Sequence, residues 1–193
     1  MSINFTKSID NKVVFLGDSS VGKSSIVQRI CLNRFNNYQD PTIGAAFLSF
    51  SVINNDIRYV YKIWDTAGQE RYRTLANMYY RNSDYAVIVF DISQVNSFET
   101  VKLWIEEINN NAPKCKIIIV ANKIDLPIKE NQRKIVNFIN EYEYEYFEVS
   151  AKTGENINNL FDFIKENNVN KSPEISNKIL LNLENKREKK CCY

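Results

Sequence analysis

The chain has 193 residues, 44% of them hydrophobic and 12% aromatic, a formal net charge of +2 and only five glycines. This length suits one domain, and the aromatic content is too high for a disordered chain. Four cysteines do not make a disulfide framework, no run approaches the ~18 apolar residues of a membrane span, and the lack of histidine excludes His-based acid–base catalysis and disfavours zinc. We expect a cytosolic protein without a nucleic-acid partner.

The first half of the chain predicts a strand, a helix and a hairpin. Residues 12–16 form an apolar run that ends at Gly17, which is typical of a buried strand, and a helix is predicted from Lys23 to Leu32. Polarity alternates over residues 46–52 and 57–64 on either side of Asn-Asn-Asp. We therefore predict an antiparallel hairpin.

The second half predicts alternating strands and helices. Residues 85–90 and 116–120 are unbroken apolar runs, as in strands of a parallel sheet that is covered on both faces. Helical spacing follows each run, and residues 147–149 give a last strand. This alternation predicts a three-layer α/β fold. We assign residues 1–11 to an N-terminal extension, 12–168 to the domain and 169–193 to a flexible tail.

The segment 17–24, Gly-Asp-Ser-Ser-Val-Gly-Lys-Ser, fits the phosphate-loop pattern G-x-x-x-x-G-K-[ST] between a strand and a helix. Backbone N–H groups of such a loop wrap a triphosphate, and a Cβ at Gly17 or Gly22 would obstruct them. Lys23 would reach the β and γ phosphates, and the Ser24 hydroxyl would bind Mg²⁺. The alternative interpretation is a glycine-containing turn followed by a chance Lys-Ser pair. It is disfavoured because a predicted strand precedes the segment and a predicted helix follows it. The predicted contacts are Ser19, Ser20, Val21, Gly22, Lys23, Ser24 and Ser25.

A second polar segment, Asp65-Thr66-Ala67-Gly68-Gln69, follows the hairpin. Asp65, at a strand end beside the phosphate loop, would hold Mg²⁺ through water. Gly68 would offer its N–H to the γ-phosphate. Gln69 would orient the attacking water, which makes it the predicted catalytic residue. Alone, the pattern D-x-x-G is only weak evidence for a nucleotide site. Together with the phosphate loop it becomes strong evidence.

Two further segments predict a guanine site. Asn122-Lys123-Ile124-Asp125 and Ser150-Ala151-Lys152 each follow a predicted strand, at the edge where open α/β sheets bind ligands. Asp125 would accept from guanine N1–H and the exocyclic amine, whereas adenine would leave it unpaired. The Ala151 N–H would meet guanine O6, and the stems of Lys123 and Lys152 would flank the ring.

These residues together resemble the Ras superfamily of small GTPases, from Lys12 to about Asn167, and in detail its Rab family. The resemblance implies that Thr42 ligates Mg²⁺ and senses the γ-phosphate, and that Phe35 packs against guanine. Residues 64–72 and 79–81 look like Rab signatures, and Thr-Ile-Gly-Ala-Ala-Phe at 42–47 resembles the early-endosomal, Rab-five type branch. Asn82 and Ala121 depart from the family, which commonly has glycine at both positions.

The resemblance implies a P-loop small G-protein fold: a mostly parallel six-stranded sheet with one antiparallel edge strand and helices on both faces. It implies a monomeric GTP hydrolase with Mg²⁺ that binds GTP and GDP and recruits effectors in vesicle trafficking and endocytosis. Its partners would include an exchange factor, a GTPase-activating protein, a GDP-dissociation inhibitor and prenylation machinery. We expect it on the cytoplasmic face of early endosomes, with a cytosolic pool.

Two aromatic residues predict an effector patch from strand alternation alone. Phe47 and Trp64 fall on the polar face of the hairpin, where large aromatics indicate a partner site. By resemblance Tyr79 completes this hydrophobic triad. Ordinary exposed aromatics are the alternative interpretation.

The C-terminal segment predicts a lipid anchor. A basic stretch precedes Cys191 and Cys192, and the last four residues, Lys-Cys-Cys-Tyr, do not fit C-a-a-X. Two prenyl groups would give stable anchoring, assisted by the basic residues. The Rab family ends this way, and a solvated charged tail is the alternative.

Three other functions stay open at this point. An ATP-using P-loop enzyme would need a base reader other than Asp125. A GTP-binding scaffold with negligible hydrolysis would lack Gln69, and a Rab could also act at another endocytic compartment.

Overall fold

A computed structural model describes residues 7–69 and 73–169, without the side chains of residues 73–75, 168 and 169. Its strands are β1 Lys7–Leu16, β2 Ala45–Asn54, β3 Ile57–Thr66, β4 Tyr85–Asp91, β5 Lys116–Asn122 and β6 Glu145–Val149. Its helices are α1 Lys23–Leu32, α2 Arg73–Tyr80, α3 Glu99–Asn111, α4 Gln132–Tyr142 and α5 Ile157–Val169. The chain divides into two compact units at Leu160, and the whole cleft described below lies in the first.

The strands form one six-stranded sheet in the order β2-β3-β1-β4-β5-β6. Only β2 runs antiparallel to its neighbour β3, and the other pairings are parallel. The sheet therefore confirms the predicted mostly parallel fold with one antiparallel edge strand. β4 lies in its interior and is buried along its whole length, which accounts for its unbroken apolar run.

The first strand begins at Lys7, five residues before the predicted start at Lys12. Residues 7–11 pair in parallel register with residues 57–61 of β3. Asn11 is buried there although its side chain is polar. Local hydrophobicity could not show this extension, because a partner strand some 50 residues away stabilises it. Part of the predicted N-terminal extension is thus a strand of the sheet.

Helices cover the sheet from both sides. A hydrophobic cluster on one face joins Val14 and Leu16 of β1 to buried residues of α2, α3 and α4, among them Tyr80 and Trp104. Val13 and Phe15 alternate to the opposite face, where α1 contributes the buried Ile26 and Val27. Among the described residues, no helix is both long and apolar enough to cross a bilayer.

Asparagine and aspartate occupy turn positions with positive φ, which glycine often occupies in other proteins. Of the nine described non-glycine residues with positive φ, six are Asn or Asp. These side chains tolerate the left-handed conformation better than other L-residues do. Asn82, at φ 56°, is one of them, which explains why this chain accepts asparagine where glycine is usual in the family. Ala121 is fully buried in β5.

Candidate nucleotide-binding site

Loops at the carboxyl ends of the strands line a cleft of about 370 Å³. This is the edge of a parallel α/β sheet where ligands bind. Fifteen of the predicted site residues line it: Ser19, Ser20, Gly22, Lys23, Ser24, Ser25, Phe35, Thr42, Gly68, Gln69, Asn122, Lys123, Asp125, Ala151 and Lys152. The other three residues predicted to bind nucleotide or Mg²⁺, Val21, Asp65 and Ser150, are buried.

The sequence did not indicate several other lining residues. They come mainly from the segment between α1 and β2: Asn36, Asn37, Gln39, Asp40 and Pro41, with Thr66 and Leu126 elsewhere. One hydrogen bond, in which Ser25 Oγ donates to Gln39 Oε1 at 3.2 Å, joins this segment to α1. No local motif identifies such residues, because a polar loop lacks the hydrophobic periodicity from which helices and strands are predicted.

Lys23 is the buried cation of the phosphate loop. Its Nζ donates to the carbonyl oxygens of Gly17 at 2.8 Å and Asp18 at 2.7 Å. Burial lowers the pKa of Lys23 to about 8, although the charges of Asp65 and Asp18 oppose that shift. A phosphate group beside this ammonium would favour its charged form. The loop therefore has the electrostatics of an anion site.

Packing within the protein requires glycine at two loop positions. A Cβ on Gly17 would lie 2.1 Å from the Val89 carbonyl oxygen. A Cβ on Gly22 would lie 2.2 Å from Asn122 Nδ2, and its φ is +97°. The expectation that these glycines are required was right, but the obstacles in the structure are β4 and the Asn122 side chain. The loop is held close to both.

Two hydroxyls and a carboxylate meet where Mg²⁺ is expected. Ser24 Oγ lies 2.9 Å from Thr42 Oγ1. Asp65 is 4% exposed, and its Oδ1 has no hydrogen-bond partner. Burial raises the pKa of Asp65, against the opposing effects of a Ser24 hydrogen bond and the Lys23 charge. A buried, unsatisfied carboxylate oxygen beside two hydroxyls is the oxygen-rich donor set that Mg²⁺ takes, so these residues fit the ion.

The segment after β3 lies directly against the phosphate loop. A Cβ on Gly68 would be 2.2 Å from the Asp18 carbonyl oxygen and 2.5 Å from Lys23 Nζ. Gln69 lines the cleft next to it. The structure thus brings Gly68 and Gln69 to the place where the γ-phosphate contacts of Lys23 are predicted.

Asn122 connects the phosphate loop to the two base-reading segments. Its Nδ2 donates to the Val21 carbonyl at 2.9 Å, and its Oδ1 accepts from the Ala151 N–H at 3.1 Å. Asp125 Oδ1 accepts from Ser150 Oγ at 2.6 Å. The Ala151 N–H, expected at guanine O6, already has this protein partner, so an O6 contact would share its proton. That contact stays a prediction.

Two charged residues that no motif marked hold the same loops. The Arg29 guanidinium donates to the carbonyl oxygens of Ala151 and Lys152, at 3.0 and 2.8 Å. Asp91 Oδ2 lies 2.7 Å from Lys123 Nζ. Arg29 is more than 120 residues from the segment that it holds, so no local pattern marks it.

Phe47, Trp64 and Tyr79 form one aromatic cluster, as predicted. The ring centroids of Phe47 and Trp64 are 5.1 Å apart, and those of Trp64 and Tyr79 are 5.4 Å apart. Phe47 is 50% exposed, whereas Leu48, Phe50 and Val52 turn to the more buried face of β2. The cluster joins the hairpin to α2. Its role in effector binding stays a prediction.

Comparison with known proteins decides the family. The Ras family profile matches residues 12–170. The chain is 48% identical over 153 residues to Ras-related protein Rab-5B of Plasmodium falciparum, covering 78% of this chain and 74% of that protein. This chain belongs to the Ras family and is a Rab5-type small GTPase.

Two further relatives agree with this assignment. The chain is 46% identical over 164 residues to GTP-binding protein ypt5 of Schizosaccharomyces pombe, covering 81% of this chain and 76% of that one. It is 43% identical over 161 residues to Ras-related protein Rab-5A of Dictyostelium discoideum, covering 82% and 80%. The protein is accordingly a GTP hydrolase. Glu70 to Tyr72 of the Rab signature, the tail after residue 169, and its Cys191 and Cys192 lie outside the described residues.

Proposed function

We propose that this Rab5-type GTPase works as a Mg²⁺-dependent switch that recruits effectors to early endosomal membranes when GTP is bound. One contact carries the proposal: Thr42 Oγ1, just before β2, lies 2.9 Å from Ser24 Oγ at the start of α1. A ligand that engages both hydroxyls fixes the segment leading into β2. Nucleotide state is thereby coupled to the strand that carries Phe47.

The phosphates would be held by the loop amides, the N-terminus of α1 and Lys23. Ser24, Thr42 and, through water, Asp65 would hold Mg²⁺, which supplies charge neutralisation at the β and γ phosphate oxygens when bound. Lys23 would share the task of neutralising phosphate charge, because its ammonium is buried and its hydrogen-bond acceptors, the Gly17 and Asp18 carbonyl oxygens, are neutral. Asp65 would orient the ion's water shell from the end of β3.

Gln69 would orient the water that attacks the γ-phosphorus. The new bond forms from that water oxygen to phosphorus, the bond to the β–γ bridging oxygen breaks, and GDP and inorganic phosphate leave. Within residues 7–69 and 73–169, the charged groups that line the cleft are three lysines and two aspartates, with no arginine. We therefore expect slow intrinsic hydrolysis that an activating protein raises about 10³- to 10⁵-fold.

Guanine selection would rest on Asp125. Ser150 fixes its Oδ1, and Lys152 Nζ lies 3.9 Å from its Oδ2. The carboxylate is thus oriented and can accept from the two N–H donors on the Watson–Crick edge of guanine. Adenine has no hydrogen on N1, so it would leave a desolvated carboxylate oxygen unpaired, which is costly.

Loss of the γ-phosphate would release Thr42 and Gly68 and alter the surface formed by Phe47, Trp64 and Tyr79. Effectors, an exchange factor, an activating protein and a GDP-dissociation inhibitor would distinguish the two states. Prenyl groups on Cys191 and Cys192 would hold the switch at the membrane. The relatives' Rab5 names support the early-endosomal assignment, and tagging the protein beside early and late endosomal markers tests it against another endocytic compartment.

Competition between nucleotides tests the proposed site. Protein loaded with fluorescent mant-GDP is titrated with GTP and with ATP, and we expect GTP to displace the probe at concentrations at least ~10³-fold lower. Asp125→Asn should reduce this preference, whereas Asp10→Asn, the same change in a surface ion pair with Lys62, should not. Equal competition by ATP would support an ATP-using enzyme and contradict the proposal.

A further inference from the structure

Lys123 bridges the base-reading and phosphate-binding segments through its side chain. It follows the end of β5 at φ +70°, a left-handed conformation that few non-glycine residues adopt. Its Nζ donates to the Ser20 carbonyl at 2.8 Å, across 103 residues of sequence. Ser20 also has positive φ, 64°. A single ammonium group thus joins two loops whose backbones are each in an uncommon conformation.

A buried carboxylate fixes the position of that ammonium group. Asp91, the last residue of β4, is 3% exposed, and its Oδ2 lies 2.7 Å from Lys123 Nζ. Its Oδ1 accepts from both the N–H and the Oγ of Ser93, at 2.9 and 2.6 Å. The Asp91 N–H in turn donates to Ser97 Oγ at 2.9 Å. One carboxylate oxygen is therefore committed to the turn after β4, and the other is aimed at Lys123.

We propose that Asp91 is a positioning residue for nucleotide retention, acting through Lys123. Asp91 is absent from the lining of the cleft, so it has no contact of its own with a ligand bound there. A lysine side chain has a long flexible stem, and an oriented, desolvated partner is what confines it to one geometry. With Asp91 in place, the Lys123 ammonium keeps the Ser20 loop closed over the site. The inference rests on the proposed nucleotide site and assigns it a determinant of nucleotide residence time.

The predicted signature is kinetic. A bound nucleotide leaves when the base-reading segments and the phosphate loop separate, and the Lys123–Ser20 contact joins them. Weakening that contact should raise the dissociation rate while leaving association nearly unchanged, since affinity differences among variants of one site are mostly differences in dissociation. The hydrolysis step should not change either, because Asp91 is proposed to act on Lys123 and Ser20, whereas Gln69 lines the cleft beside Gly68.

Asp91→Asn is the test variant, because it keeps the shape and the oxygen facing Ser93 but presents an N–H donor to Lys123. Full-length protein loaded with mant-GDP is chased with excess GDP, and we expect release at least roughly tenfold faster than in the wild type. Single-turnover hydrolysis of bound GTP should stay within about twofold of the wild-type rate. The matched control Asp10→Asn alters a surface ion pair and should release the probe at the wild-type rate.

Two variants of Lys123 establish whether Asp91 acts through it. We expect Asp91→Asn to add little to Lys123→Met, since the double variant loses the same link. Lys123→Arg, which keeps a cation opposite an intact Asp91, should release mant-GDP more slowly than Lys123→Met. This second comparison decides the inference even where Asp91→Asn fails to fold.

Three results would overturn the inference: wild-type release from Asp91→Asn, multiplying effects in the double variant, or equal release from Lys123→Arg and Lys123→Met. A wild-type protein that binds no mant-GDP would contradict the proposed nucleotide site itself. If the wild type retains mant-GDP and Asp91→Asn releases it at the wild-type rate, the role of Asp91 is refuted and the proposed nucleotide site stands.

Discussion

Lys23, which lines the cleft, and Asp65, which is buried outside its lining, carry opposite charges that interact. Burial lowers the pKa of Lys23 to about 8 and raises the pKa of Asp65, so desolvation outweighs their mutual attraction. Each group would gain from a ligand of opposite charge, a phosphate at Lys23 and Mg²⁺ near Asp65. Shifted pKa values of this kind are typical of functional sites.

Ser24→Asn tests the predicted metal ligand at the scale of one residue. The longer amide would replace the Oγ that lies 2.9 Å from Thr42 Oγ1, so we expect Mg²⁺-GTP affinity to fall at least ~10-fold. Mant-GTP titration with and without EDTA measures the change. The same substitution at the exposed Ser51 serves as a control, and undiminished Mg²⁺-dependent affinity in Ser24→Asn would remove Ser24 from the metal site.

At the scale of elements, the β2–β3 hairpin has one face that packs in the core and an outer face that we predict effectors recognise. Phe50 and Tyr61 stack at 5.2 Å on the inner face, where Tyr61 is 1% exposed. Phe47 and Trp64 pair on the outer face, and Phe47 is 50% exposed. Alternation along each strand imposes this division. One side builds the core and the other is available to a partner.

Alanine substitution should separate these two roles. Tyr61→Ala removes a buried ring, so we expect it to lower the free energy of unfolding by about 3–5 kcal/mol in urea titrations. Phe47→Ala should cost at most ~1 kcal/mol and yet abolish GTP-dependent effector capture by a GTP-locked bait. A Phe47→Ala bait that captures the same proteins as its parent would argue for an ordinary exposed aromatic.

The hairpin and the cleft also mark what the sequence can and cannot predict. The two faces of the hairpin follow from local alternation and are confirmed. The phosphate and base segments are contiguous motifs that the structure brings to one cleft, and their ligands stay predictions. The extension of β1 to Lys7, and the roles of Arg29 and Asp91, depend on pairing and contacts over distances of about 30 to 120 residues. Such contacts leave no local pattern.

At the scale of the whole molecule, the proposed function requires a folded switch and a membrane anchor on one chain. Segments that follow β1, β3, β5 and β6 form the cleft, and side chains such as Asn122 join them. The basic tail that contains Cys191 and Cys192 is the predicted anchor. One prenyl chain gives only reversible binding, so two are expected for stable residence.

Replacing the terminal cysteines by serine tests the anchor. We expect prenylated wild-type protein to float with anionic vesicles, either single variant to bind reversibly, and Cys191→Ser with Cys192→Ser to stay unbound. Cys115→Ser is the control for loss of a cysteine within the folded domain. Flotation of the double variant at the wild-type level would favour a solvated tail and another means of attachment.

Single-turnover hydrolysis of GTP by wild-type protein and Gln69→Leu, with and without Mg²⁺, tests the switch most directly. We predict a wild-type rate of about 10⁻⁴–10⁻³ s⁻¹ with Mg²⁺, at least ~10-fold slower hydrolysis in Gln69→Leu with GTP still bound, and none after EDTA. Gln94→Leu, at an exposed position away from the cleft lining, should match the wild type. Equal Mg²⁺-dependent rates in wild type and Gln69→Leu would contradict the catalytic role of Gln69, and no hydrolysis by the wild type would contradict the switch itself.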